Sequence, residues 1–387
     1  MTDTNEKALL PPGLGDVLAP NARIEAETVT RLMAVFESYG YERVKPPLIE
    51  FEDSLLSGKG AAIADQTFRL MDPVSQRMLA LRPDMTLQVA RIAESRLGNA
   101  PRPLRLAYAG EVVRINGGQL RPERQFGQVG VELIGSDAAN ADAEVILMAL
   151  EAMGGLGIGN MSVDIGIPSL VGAIVGDAVD GADKKILRQA LDRKDTVAIK
   201  DMSGLIGAEM AKTLGALLDA TGPAASGLNK MKALGLGSEA GAALGALESV
   251  INALAAARPD LSLTVDPVEN RGFEYHTGVS FTFFAKNVRG ELGCGGRYVA
   301  GNGESGSNGE TATGFTLFMD TILRSLPQAE QKNRLYLAAG TDAETAGKYR
   351  AEGWIAVLGM DADKDVEAEA KRLHCTHILD GGNPRQI

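Results

Sequence analysis

Residues 125–134 constrain the fold more than any other stretch of this chain. Gln128, Gly130 and Glu132 fall on one side of an alternating pattern, and Val129, Val131 and Leu133 fall on the other. A period of two puts the two sets on opposite faces of a strand, so the apolar set asks for a core. Two long polar side chains then share the other face, and Gly127 and Gly130 leave space above it, which permits the floor of a pocket. Residues 104–109 and 111–115 are also strand-like, with a break at Gly117-Gly118. Strands that return after such short interruptions fit an antiparallel sheet better than a βαβ array.

Helices punctuate this sheet. Val29, Leu32, Met33 and Phe36 recur at i, i+3, i+4 and i+7, between a start at Pro20-Asn21 and a stop at Gly40. A short strand follows at 41–44, ended by Pro46 and Pro47. Further helices are expected at 85–96 and 142–153. From about 166 to 258 the chain is rich in Ala, Gly and Leu, poor in aromatics and helix-periodic, which reads as a helical insertion. Strand patterns resume at 263–265 and 279–284, 302–310 reads as a mobile polar loop, and 315–326 is an apolar strand or helix. After a polar linker, 330–387 alternates strand and helix as a small α/β domain behind a core spanning 1–325.

Composition narrows the function. With 387 residues, 45% apolar and 23% charged, the chain can bury a core unaided. Its 39 basic and 50 acidic residues give a net charge of −11, which argues against nonspecific nucleic-acid binding. Two cysteines, Cys294 and Cys375, exclude a disulfide framework. The start lacks an apolar signal core and no run of about 18 apolar residues is evident. A cytoplasmic location and no membrane association are expected. Three histidines leave most metal schemes short of ligands, and His374-Cys375-Thr376-His377 has no standard zinc spacing. No metal or cofactor is expected.

Four constellations carry chemistry. In Arg82-Pro83-Asp84-Met85-Thr86, Asp84 and Thr86 sit at a helix start, where they could cap it or offer a carboxylate and a hydroxyl to a ligand ammonium. Gln128 and Glu132 form the polar strand face, although a strand Glu is usually a solvated one. Asn270-Arg271-Gly272-Phe273-Glu274-Tyr275-His276 offers a carboxylate fork and hydrogen-bonding rings, or is merely a turn. Gly293-Cys294-Gly295-Gly296-Arg297-Tyr298 lets a backbone come close to a ligand or another strand.

In this order the segments resemble class II aminoacyl-tRNA synthetases. Pro12-Gly13-Leu14-Gly15-Asp16, Tyr39-Gly40-Tyr41 and Pro46-Pro47-Leu48-Ile49-Glu50 look like the start and motif 1. Leu81-Arg82-Pro83-Asp84-Met85-Thr86 is similar to the LRPE-x-T segment of histidyl-tRNA synthetases, and residues 124–132 to their RQFHQxGxE. Residues 271–275 resemble RGLDYY, and Gly295-Gly296-Arg297-Tyr298 resembles GGRYDG. The resemblance covers about 9–325. It implies an α+β fold, with an antiparallel sheet flanked by helices, a helical insertion and a small C-terminal α/β domain. It also implies a histidine-like pocket in which Asp84, Thr86 and Gln128 hold the ammonium and Glu132 meets the imidazole. Arg271 would face the carboxyl side and Tyr275 would match the first tyrosine of the motif. His276 replaces the second tyrosine, which changes the imidazole contact there.

The departures fall on the nucleotide side. Motif 2 reads Val113-Arg114-Ile115-Asn116, which keeps Arg114, counted with the histidine-like pocket, but loses the glutamate that reads adenine. The basic loop becomes Arg121-Pro122-Glu123-Arg124. In motif 3, Phe318 replaces a glycine and Thr321 replaces the phosphate-binding arginine, beside Asp320. Weaker ATP binding is expected. The tail is shorter than the anticodon-binding domain and holds 8 basic and 10 acidic residues over 328–387, which does not suit tRNA. The combination resembles the synthetase-like regulatory subunits of ATP phosphoribosyltransferase. That resemblance implies a non-catalytic chain in the first step of histidine biosynthesis, with a short-form catalytic subunit as partner, histidine as feedback ligand, and a homodimer inside a hetero-oligomer. A divergent histidyl-tRNA synthetase and a scaffold with a vestigial pocket are the alternatives. Histidine charging would mark the first, and absence of histidine binding the second.

Overall fold

The computed structural model describes residues 9–56, 63–118, 121–176, 179, 181–269, 276–301, 309–327, 333–361 and 365–387. Two compact units divide the chain, Met1–Pro327 and Gln328–Ile387.

The first unit opens with α1 (Asn21–Ser38), β1 (Glu42–Arg43), β2 (Ile49–Phe51), α2 (Glu52–Leu55), β3 (Arg69–Met71) and β4 (Met78–Leu81). Next come α3 (Thr86–Ser95), β5 (Leu104–Val113), β6 (Gln125–Ile134), α4 (Ala139–Gly155) and β7 (Met161–Gly166). The insertion holds α5 (Pro168–Val175), α6 (Gly181–Asp192), α7 (Thr196–Asp201), α8 (Ser203–Ile206), α9 (Ala208–Asp219), β8 (Gly222–Pro223), α10 (Ala224–Lys232) and α11 (Ser238–Ala257). The chain then adds β9 (Ser262–Asp266), β10 (His276–Ala285), β11 (Gly293–Ala300), β12 (Glu310–Phe318) and α12 (Met319–Ser325).

Nine strands form one sheet in the order β1-β5-β6-β12-β11-β10-β7-β9-β8. Its pairings are antiparallel except β1 with β5 and β7 with β9, so the sheet is mixed at its margins and antiparallel at its centre. Register aligns Leu106, Glu132, Gly314, Gly296, Ser280, Gly166 and Asp266 in one row across seven strands. The apolar set of β6 faces a core built with α1, α4 and α11, and the polar set faces α3. Phe315 of β12 centres that core, edge-on to Phe36 at 5.5 Å and to Phe283 at 6.0 Å. Its replacement by Ala should cost about 3–5 kcal/mol, the range for a fully buried aromatic, read as a lower urea midpoint with unchanged slope.

Three short strands, in the order β2-β4-β3, make a second sheet that the sequence reading did not anticipate. Leu48, Ile49, Leu70, Met71, Val74 and Met78 are exposed along it. Helix α11 is long and apolar enough to cross a membrane by length and composition, contrary to the expectation of no such run. Its Leu244, Leu247, Ile251 and Leu254 are instead buried in the core, where it packs on α4 and α5.

The second unit contains β13 (Arg334–Leu337), α13 (Ala343–Ala351), β14 (Ile355–Leu358), α14 (Val366–Arg372), β15 (His377–Asp380) and β16 (Asn383–Gln386). Its sheet order is β14-β13-β15-β16, and only the last pair is antiparallel. The terminal hairpin strand β16 was not read from sequence. His377 lies edge-on to Trp354 and its Nδ1 is 2.9 Å from the Thr376 hydroxyl, so this ring has structural partners.

Candidate functional site

The entry of α3 meets the polar face of β6. One Asp84 oxygen accepts the Thr86 backbone N–H at 2.9 Å, so the capping contact weighed from sequence exists. The other accepts the Gln128 amide at 2.9 Å. Gln128 returns its own carbonyl oxygen to the Met85 N–H at 3.1 Å. Asp84 therefore caps the helix and points into the site at once. Gln128 is fully buried and locked from both ends.

Glu132 lies two residues along the same face, 1% exposed. Tyr298 of β11 donates to its Oε2 at 2.9 Å and Tyr108 of β5 to its Oε1 at 3.3 Å. The Tyr108 hydroxyl also lies 2.7 Å from Thr316 Oγ1 and 3.5 Å from Thr86 Oγ1. Tyr108 can cross the sheet because Gly130 opposes it, where a Cβ would strike the phenol. Gly314 likewise makes room for the Glu132 carboxyl. Burial, aided by the Asp84 charge, pushes the Glu132 carboxyl up to about 8 against the opposing hydrogen bonds. The carboxyl is thus mainly neutral at pH 7. The Tyr108 hydroxyl is pushed well above its ordinary range by burial and by the same carboxyls.

The structure brings Asp84, Thr86, Gln128 and Glu132 together. His276 opens β10 opposite Tyr298, buried, with its ring over Gly296, where any Cβ would collide with it. Arg114 lies to the side, its Nε donating to the Pro83 carbonyl at 3.1 Å and its guanidinium 5.2 Å from the centre of the Phe126 ring. Arg271 and Tyr275 lie outside the described residues. Tyr108 and Thr316 were missed by sequence reasoning, because cross-strand register decides their place. Tyr298 was visible only as part of a glycine-rich motif. Desolvation pushes the Cys294 thiol up to about 12, which makes it a poor nucleophile.

Beside this pocket a cleft of 380 Å³ is lined by Arg114, Asn116, Arg121, Glu123, Phe126 and Glu291 among others. Arg121 Nε donates to both Asp320 oxygens at 3.0 Å, and its Nη1 is 3.6 Å from Glu291. Arg324 reaches Asp320 at 3.3 Å, the Thr321 hydroxyl at 3.0 Å and Glu123 at 3.9 Å.

A sheet of this topology, with Asp84 beside the buried Gln128 and Glu132 at the entry of α3, defines a class II synthetase-like protein. The histidyl-tRNA synthetase family model matches residues 13–322. A solved histidyl-tRNA synthetase from Nostoc superposes with a TM-score of 0.73 at 18% identity, covering 96% of this chain and 91% of that one, a likeness of fold alone. Closer in sequence, an ATP phosphoribosyltransferase regulatory subunit from Paramagnetospirillum magneticum is 52% identical over 98% of both chains. A solved Bacillus halodurans protein described as an ATP phosphoribosyltransferase regulatory subunit/histidyl-tRNA synthetase superposes with a TM-score of 0.81 at 26% identity, covering 94% and 96%. The chain belongs to the family of ATP phosphoribosyltransferase regulatory subunits, and its role is regulatory.

Proposed function

We propose that this chain binds free histidine in the pocket between α3 and β6 and transmits its occupancy to a short-form catalytic subunit of ATP phosphoribosyltransferase. Asp84, Thr86 and Gln128 would take the ammonium and Glu132 the imidazole. Arg114 and Arg271 would lie toward the carboxylate, with Tyr275 and His276 closing the imidazole side. The observation that carries this reading is the contrast between two neighbouring sites. The amino-acid side keeps carboxylates aimed at a cation, whereas Arg121 and Arg324 on the nucleotide side already face carboxylates of their own. Histidine could then be held without being activated.

Regulation follows from linkage: histidine shifts a quaternary equilibrium only as far as its affinity differs between the states. The exposed apolar side chains on the β2-β4-β3 sheet support a homodimer within a larger hetero-oligomer, because such surface on a soluble chain marks an interface. The acidic 328–387 segment supports a role without tRNA. Free thiols at Cys294 and Cys375 support a reducing, cytoplasmic compartment.

Mixing this protein with a short-form catalytic subunit tests the proposal. Co-elution is expected, with phosphoribosyl transfer from phosphoribosyl pyrophosphate to ATP rising on mixing and falling when histidine is added. No complex and no activation would overturn it. Charging of tRNA with histidine by this chain alone would favour a synthetase instead.

A further inference from the structure

We propose that Asp320 is a specificity determinant: it occupies Arg121 as an internal substitute for a phosphate group and so keeps polyphosphates out of the 380 Å³ cleft. Three arginines approach this region, Arg114, Arg121 and Arg324, and three carboxylates answer them, Glu123, Glu291 and Asp320. Arg121 is the one best placed to meet an anion. Its side chain is 10% exposed, and its guanidinium lies 3.9 Å from the centre of the Phe318 ring and 4.8 Å from that of Phe126. The rings cover its faces, so ion pairing runs along its edge, where Asp320 takes Nε with both oxygens at 3.0 Å and Glu291 lies 3.6 Å from Nη1.

Asp320 is itself nearly enclosed, its side chain 8% exposed, and takes Arg324 as a second cation. A buried pair of this kind is held because removing either member strands the other charge. An incoming phosphate would have to displace Asp320 from Arg121 while facing Glu123 and Glu291. Glu123 Oε2 is buried without a hydrogen-bond donor among the described residues, and the carboxylate's charge faces Arg324 only at 3.9 Å, so the wall keeps negative character. The position next to Asp320 is Thr321, whose hydroxyl accepts from Arg324 and brings no cation of its own. The clasp thus rejects the anion by prior occupation as well as by repulsion. It rests on the reading that this chain holds histidine without activating it, and it supplies a reason for that outcome.

The test is a gain of binding. Wild type, Asp320→Asn and the double variant Asp320→Asn/Arg121→Gln are titrated calorimetrically with inorganic triphosphate and with MgATP. Asp53→Asn, which removes a carboxylate that is 88% exposed, controls for net charge. Asp320→Asn is expected to bind triphosphate at least about tenfold more tightly than wild type, since the charge-assisted donors of Arg121 become free. Arg121→Gln should cancel that gain and Asp53→Asn should not reproduce it. The same anion should raise the melting temperature of Asp320→Asn and leave that of wild type unmoved, as mass action requires of a ligand specific to the folded state. Folded Asp320→Asn binding no more tightly than wild type would overturn the proposal, as would a gain that survives Arg121→Gln or appears equally in Asp53→Asn. Should Asp320→Asn not fold, Glu291→Gln decides by the same titration: tighter binding than wild type supports the clasp, and unchanged binding overturns it. Histidine titrations on the same samples separate the two readings. Wild type that ignores histidine counts against the pocket, whatever the anion does.

Discussion

Replacing Glu132 with Ala should weaken histidine binding at pH 7 by at least about thirtyfold, the lower end of what truncating one member of a buried, hydrogen-bonded pair costs. The carboxyl is held between Tyr108 and Tyr298 and shut off from solvent. An imidazole placed against it finds an acceptor for its N–H, and that N–H or imidazolium would return to Glu132 the charge that burial withholds. Alanine removes the partner and leaves water no easy access. Asp84→Ala should weaken binding comparably through the ammonium, with additional loss from freeing the Gln128 amide and the Thr86 N–H. Calorimetry with free histidine measures both. Unchanged dissociation constants in both variants would move histidine to a different seat.

The empty protein should also be less stable at pH 8 than at pH 5 by an amount that Glu132 accounts for. Its carboxyl titrates near 8 in the folded chain against a usual value of 4.5. Between those values the native state binds the proton that the unfolded state has lost, so stability falls as pH rises. The contribution is greatest below 4.5, declines across the interval and is level above 8. Integrated over that window it amounts to about 4 kcal/mol, at 1.36 kcal/mol per unit. Glu132→Gln has no such proton, so the difference in unfolding free energy between variant and wild type should grow steadily from pH 5 to 8. A constant difference across that range would show that the carboxyl ionises normally. With its carboxyl raised to about 8, the site carries its acid at a standing cost to stability at neutral pH, as sites shaped for a ligand often do.

Much of this site could be read before folding was considered. Strand β6 follows its alternation from Gln125 to Ile134, and α1 follows its four-residue apolar face, because each element satisfies one period along its whole length. The reading failed where glycine had to be interpreted. Residues 104–109 and 111–115 looked like two strands flanking Gly110, yet β5 runs through unbroken. Gly110 is not a turn: the Arg82 guanidinium rests against it, and a Cβ would strike the nitrogen. The glycines of 293–296 form strand β11 and bring its backbone close to a neighbouring strand, as the sequence allowed. Gly295 admits Phe281 from one face and Gly296 admits His276 from the other. At Gly110, as at Gly295 and Gly296, the residue that needs the space is far away in sequence. The β2-β4-β3 sheet was missed for a different reason: strands of three or four residues following a Pro-Pro pair offer too short a pattern to register.

Arg82 links these observations. Its backbone N–H donates to the Leu48 carbonyl, and its guanidinium reaches the Pro46 carbonyl at 3.0 Å and the Glu111 carbonyl at 2.7 Å. Two residues on is Asp84, and immediately before it is β4, which belongs to the sheet with the exposed apolar side chains. Asp84 on one side and the exposed Leu48 and Ile49 on the other are therefore tied to one bonded junction at Arg82.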